Sequence, residues 1–364
     1  MKAYLRKDGR YECRIQFTVT GIRVRKSFYG RTAEEAVNKA MIYKNTLSER
    51  KNVYTGQCAG TVSALVEEWF WYKKIVMKQS TSSNYHIKAN KHIIPAFRDT
   101  NIYELDHKMV NDYTVELLNS GLSHNYVRGI LVLFKSILKY GVQAYGMGVK
   151  LDLIVFPSKE NKRIEIFSSV ERKKLIDYLM KNMSPAAVAS LISLCLGLRI
   201  GEVCGLCWGD IDTDLQMLHV RRTVQRIENF DRKPEENKTK VICGLPKSAS
   251  SLRDIAIPDN LCRLLKKRKQ DEDIYVASGT NKHYEPRRMM LEYHKLLEDA
   301  GLPSRNYHQT RHSFAQNCYE QGLDDVTLSV IMGHSSPDIT RSIYIHSSIG
   351  QQRKLMALVD IPKK

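Results

Sequence analysis

Residues 196–212 read LGLRIGEVCGLCWGDID, closing an apolar run, Ala186–Leu198, that only Ser190 and Ser193 interrupt. Such a run predicts a helix buried on all sides, too short to cross a bilayer. Arg199 follows it and opens a second, short helix. A guanidinium at the end of an apolar helix is costly unless something anionic meets it. Glu202, one helical turn on, is placed to orient an arginine or a histidine. The stretch therefore predicts a helix-rich domain that presents a cation at the edge of its core.

Working outward, three more segments carry groups suited to phosphate. Gly244-Leu245-Pro246-Lys247-Ser248 lies between two β-type runs, Lys240–Cys243 and Leu252–Ile257, which predicts Lys247 at or near a hairpin tip. In Tyr307-His308-Gln309-Thr310-Arg311-His312 a helix puts His308 and Arg311 on one face, with His312 facing elsewhere. Met332-Gly333-His334-Ser335-Ser336 is followed ten residues after His334 by Tyr344. Each piece alone is common; the ordered set Arg, Lys, His-x-x-Arg, Gly-His, Tyr in one domain is not.

The bulk numbers agree. Among 364 residues, 57 Lys and Arg stand against 39 Asp and Glu, a net charge of +18. An excess of that size suits a polyanion, of which nucleic acid is the commonest. The start, MKAYLRKDGRYE, has no apolar segment of the signal-peptide kind. Eight scattered cysteines predict reduced thiols. Cys204-x-x-Cys207 lacks a second close pair for zinc, and both are read as packed on one helix, so no metal or cofactor is expected.

The fold class expected is multidomain, mainly α with small β-sheets. Residues 1–55 predict a three-stranded β-sheet (Tyr4–Arg6, Tyr11–Thr18, Arg23–Phe28) plus a helix from Thr32, with Thr32 and Glu35 as capping box. This unit holds 13 basic and 5 acidic residues, a balance of +8. Arg14, Arg23, Arg25 and Lys26 on its strands are candidate DNA contacts. After a linker at Tyr54–Gly60, residues 61–150 predict a helical domain with helices Val62–Lys74, Ser83–His92, Lys108–Asn119 and His124–Tyr145. The last is capped by Ser123 and carries Val127, Ile130, Leu131, Phe134, Ile137 and Leu138 at helical spacing. A second linker, 146–167, leads to a mixed α+β domain at 165–346, whose first helix opens on the capping box Ser168–Glu171.

The ordered set resembles the tyrosine recombinases, the phage-integrase group, over essentially the whole chain. LGLRIGEVCGLCWGDID is similar to the family's first arginine box and PKSASSLRDIAIP (246–258) to its β-hairpin lysine. HQTRHSFA (308–315) resembles the HxxR box, and LSVIMGHSSPDITRSIYIH (328–346) the histidine and nucleophilic tyrosine. The three-part layout is most like that of integrases from conjugative transposons and phages. The resemblance implies an arm-type DNA-binding domain at 1–55, a core-site domain at 61–150 and a catalytic domain at 165–346. It implies that Tyr344 attacks the scissile phosphate to give a 3′-phosphotyrosine, that Arg199 and Arg311 clamp its oxygens, and that Lys247 protonates the leaving 5′-oxygen. His308 would help accept the tyrosine proton and His334 donate to a phosphate oxygen. Lys240 and Arg253 compete with Lys247 for its role; Tyr307 and Tyr319 are rival tyrosines. The partners implied are double-stranded DNA, a homotetramer on synapsed sites, and an excisionase or DNA-bending protein, in a bacterial cytoplasm with no membrane. The tail, 347–364, is expected to form a short helix exchanged between protomers. A type IB topoisomerase and a catalytically inactive DNA-binding regulator remain the alternatives.

Overall fold

The computed structural model describes residues 1–6, 9–19, 22–51, 60–74, 77–160, 165–229, 235–246, 249–334 and 336. The chain divides into two units, residues 1–162 and 163–364.

The first unit begins with an antiparallel sheet in the order β1 (Ala3–Leu5), β2 (Tyr11–Val19), β3 (Ile22–Gly30). Helix α1 (Ala33–Lys51) covers one face, over Cys13 and Ile15 from β2 and its own Ala36 and Ala40. Thr32 Oγ1 caps it by accepting from Glu35 N (3.1 Å), but the Glu35 carboxylate accepts from Arg31 N (2.7 Å) rather than closing back on Thr32. The other face follows from the register: Glu12 pairs with Tyr29, Arg14 with Ser27, Gln16 with Arg25 and Thr18 with Arg23. Lys26 pairs with Ile15. Strand alternation thus groups Arg14 and Arg25 in one row.

Helices α2 (Val62–Lys74), α3 (Gln79–Lys88), α4 (Ile94–Phe97), α5 (His107–Asn119) and α6 (His124–Tyr145) follow. The helix expected over Ser83–His92 differs: α3 starts four residues earlier, then passes through one wide turn, Ala89–Ile93, into α4. Pro95 lacks an N–H for the preceding turn, and a wider turn accommodates that loss. Helix α6 has the expected bounds because every local signal agrees. Ser123 Oγ accepts from Tyr126 N, the six apolar residues at helical spacing are buried, and Gly146 ends it at φ 68°.

In the second unit, α7 (Ser169–Asn182) opens on a closed capping box: Ser168 Oγ accepts from Glu171 N, and Glu171 Oε2 from Ser168 N (2.8 Å). Helix α8 (Pro185–Leu196) is buried at nearly every residue, and α7, α11 (Pro286–Asp299) and α12 (His308–Glu320) pack on it. A fully buried aliphatic such as Ile192 contributes about 1.5–3 kcal/mol there. Short α9 (Ile200–Cys204) follows, so Cys204 ends a helix and Cys207 lies beyond it, where Arg222 Nη1 donates to its Sγ (2.6 Å).

Strands β4 (Ile211–Asp212), β5 (Met217–Val220) and β8 (Arg253–Ala256) form one sheet, while β6 (Thr223–Glu228) pairs with β7 (Thr239–Gly244) as a separate hairpin. This corrects the hairpin expected between the two runs flanking Lys247. They belong to different sheets, because local alternation carries no information on which strand a run will pair with. Helices α10 (Asp259–Lys266) and α13 (Asp325–Met332) complete the described elements.

Candidate active site

Gly197 ends α8 at φ +70°, and a Cβ there would lie 2.4 Å from Phe314 Cδ1, so the turn that launches Arg199 admits only glycine. Arg199 N and Nη1 donate to the two carboxylate oxygens of Glu202 at 2.9 and 2.7 Å. Glu202 is 3% exposed and also receives Arg253 Nη1 and Nη2, each at 3.0 Å. Burial works to raise its carboxyl, but the hydrogen bonds and charge of Arg253 and the charge of Arg199 outweigh it and hold Glu202 ionised below its usual range.

Arg311, from the buried face of α12, is 1% exposed. Its Nη1 donates to Gly197 O (2.6 Å) and its Nη2 to Met332 O. His308 lies one turn before it with an exposed edge, its ring 4.7 Å from that of His312 in an edge-on contact. The expectation that His312 faces elsewhere is thereby corrected: four residues on, it shares the face of His308.

His334 follows Gly333, which ends α13 at φ +62°. The last carbonyls of any helix lack partners within it and carry its negative pole. Here three arginines meet three successive ones: Arg253 Nε donates to Ile331 O (2.5 Å), Arg311 Nη2 to Met332 O and Arg199 Nη2 to Gly333 O (3.1 Å). The end of α13, and with it His334, is therefore pinned beside the guanidiniums.

These cations set the imidazoles. Burial, then the charges of Arg311, Arg199, Arg253 and His308, push His334 down to about 4. His308 is lowered by burial and by Arg311 and Arg199, with Glu202 opposing. Both are therefore neutral at physiological pH, His308 able to accept a proton and His334 to donate a neutral N–H. A histidine whose folded value lies below its ordinary 6.5 adds stability that is complete above 6.5 and lost as pH falls toward 4. We expect the melting temperature to drop across that window, and His334→Gln to flatten the drop. Parallel curves for the two proteins would remove His334 from the acid response.

Lys247, Tyr344 and the tail 347–364 lie outside the described residues. Of the competitors, Arg253 is committed to Glu202, and a guanidinium is a poor general acid. Lys240 sits within β7 opposite Ile227. Tyr307 is 1% exposed with its hydroxyl pushed up by burial, and Tyr319 packs beside Phe314, Leu328 and Met332. Among the described residues no group of three metal-ligating side chains occurs and no helix is long and apolar enough to cross a membrane. On the N-terminal sheet Arg14 forms a two-pronged pair with Glu12 (2.9 and 3.1 Å), while Arg25 is exposed.

In the sequence Arg253 stands out only as a rival acid to Lys247. Its register signal was present: it shares a strand row with the buried Ile255. Residue type, which argues for the surface, masked it.

The model of the phage integrase family matches residues 165–350, more than half of the chain and all of this site. The chain belongs to the phage integrase family. A second model, the phage integrase N-terminal SAM-like domain, matches residues 61–118 of this integrase. It is 27% identical to a tyrosine recombinase XerC-like protein of Caldanaerobacter subterraneus subsp. tengcongensis, over 93% of both chains. It is 23% identical to the ICEBs1 integrase of Bacillus subtilis, over 97% of this chain and 98% of that one. Among solved structures, the Tn1549 transposon integrase in complex with a circular intermediate DNA shares its fold at a TM-score of 0.63 and 17% identity, covering 82% of this chain and 99% of that one. A lambda integrase tetramer bound to a Holliday junction matches at 0.56 and 16%, covering 92% and 96%. This integrase is a tyrosine site-specific recombinase.

Proposed function

We propose that this recombinase cleaves and rejoins double-stranded DNA through a 3′-phosphotyrosine at Tyr344, and that it integrates and excises a mobile element. The observation that carries the reading is the convergence of Arg199, Arg311 and His308 on the end of α13 and on His334, ten residues before Tyr344. Two guanidiniums fixed in advance match the oxygens of a phosphodiester and stabilise charge as it builds in the transition state. His308 takes the proton of the Tyr344 hydroxyl as its oxygen bonds to phosphorus, Lys247 gives a proton to the departing 5′-oxygen, and His334 donates to a non-bridging oxygen. The phosphotyrosine keeps the bond energy for rejoining. The names of the relatives, integrases of ICEBs1 and of a transposon, support the mobile-element role. The lambda tetramer on a Holliday junction supports a tetramer on two paired duplexes.

The test is a duplex nicked near the candidate core site, so that the cleaved strand diffuses away and the covalent complex is trapped. The expected result is a denaturation-resistant protein–DNA adduct at that site alone. Relaxation of any supercoiled plasmid would indicate a topoisomerase, and no adduct at all a DNA-binding regulator.

Residues 1–55 are proposed as the arm-type domain and 61–150 as the core-site domain, with 165–346 the catalytic domain. With Arg14 paired to Glu12, the exposed Arg25 is the better phosphate contact on the sheet. Arg25→Ala is expected to lower the log–log salt slope of arm-site binding by about one, and Arg14→Ala by less. Equal slopes in all three proteins would make the row a solvated surface.

A further inference from the structure

Arg253 is none of the groups to which the chemistry is assigned, yet all three of its guanidinium nitrogens are used. Nε holds Ile331 O at the end of α13, Nη1 holds Glu202 Oε1 and also Ser251 O (3.2 Å), and Nη2 holds Glu202 Oε2. Its side chain is 4% exposed, against 33% for Arg199. Gly333 lets it in: a Cβ on that residue would stand 3.1 Å from Arg253 Cδ and Nη1 and 2.9 Å from Ser250 O.

The charges show what this grip does. Glu202 with Arg199 alone is a neutral pair, and a buried carboxylate with no other partner draws a guanidinium onto itself in a two-pronged contact. An arginine so occupied has less to offer a phosphate. Arg253 takes one donor onto each Glu202 oxygen, so the Arg199 side chain is held through Nη1 while its Nη2 reaches Gly333 O, and the three groups together keep one net positive charge. We propose that Arg253 is a positioning residue for strand cleavage, which by saturating Glu202 and gripping the last turn of α13 sets the orientation of Arg199 and the place of His334. This rests on the assignment of Arg199 and His334 to the scissile phosphate.

The experiment is single-turnover cleavage of the nicked core-site duplex by the full chain, in a cycle of Arg253→Lys, Arg199→Lys and the double variant, at a temperature where circular dichroism shows all folded. Lysine keeps the charge and loses the fork. If Arg253 acts through Arg199, Arg253→Lys slows cleavage at least about fivefold with DNA affinity unchanged, and adds no further loss to Arg199→Lys. A smaller fall, or the same fall in both backgrounds, overturns the proposal; a merely structural role gives the latter. If Arg253→Lys does not fold, Arg253→Gln takes its place in the cycle under the same two criteria. If Arg199→Lys itself cleaves at the parental rate, the clamp assignment fails and takes the proposal with it. If Arg199→Lys is slow while the Arg253 criteria fail, the clamp stands and the proposal alone is lost.

Discussion

Tyr344→Phe is expected to give no covalent adduct from the nicked core-site duplex while binding that duplex as tightly as the parent protein. Phenylalanine keeps the ring and removes the one oxygen proposed to bond to phosphorus. The loss should be total within the sensitivity of a gel, because a covalent step has no partial substitute. Binding should persist because affinity for DNA is spread over many phosphate contacts, of which this hydroxyl is at most one. Adduct at the parental yield would move the nucleophile elsewhere, and Tyr319 would be tested next. Tyr307 would not, since its hydroxyl is sealed within the core.

Arg311→Lys is expected to cost on the order of 10²-fold or more in cleavage rate, as loss of a preorganised charge contact does elsewhere. It should also loosen the fold. The guanidinium spans Gly197 O and Met332 O from a fully buried position, and an ammonium on a single stem does not bridge both. One carbonyl left without a donor costs about 1–3 kcal/mol. Arg199→Lys offers the contrast: its side chain is one-third exposed, so the same chemical change should slow cleavage comparably with a smaller fall in melting temperature. Single-turnover cleavage and thermal denaturation of the two variants measure both effects. A drop in rate of less than about fivefold would take that arginine out of the clamp.

How much could be read from the chain alone depended on how local the determinants were. Helix α6 and the start of α7 were legible to the residue, because cap, period and stop all lie within the element. Arg199, His308, Arg311 and His334, which the structure brings together, each stand in a local motif for the same reason. What joins them was not. Arg199 meets Gly333 from 134 residues away, Arg253 meets Ile331 from 78, and neither residue type nor spacing names a backbone carbonyl as partner. The pairing of β7 with β6 escaped for a related cause, since alternation fixes a strand's faces and leaves its neighbour open. The misplaced side of His312 was a different failure: four residues from His308, it was within reach of the helical spacing already in use.

The lowered imidazoles of His308 and His334 have a bearing on where such an enzyme can work. With both histidines lowered from the ordinary range, His334 to about 4, neither imidazole adds charge to the cleft near neutrality, and the guanidiniums beside them do not titrate. Ionic strength is another matter, because the attraction between those guanidiniums and a phosphate backbone weakens as counterions crowd in. Near neutrality the pull of this cleft on a phosphate backbone should therefore follow the salt around it more closely than the protonation of its two imidazoles.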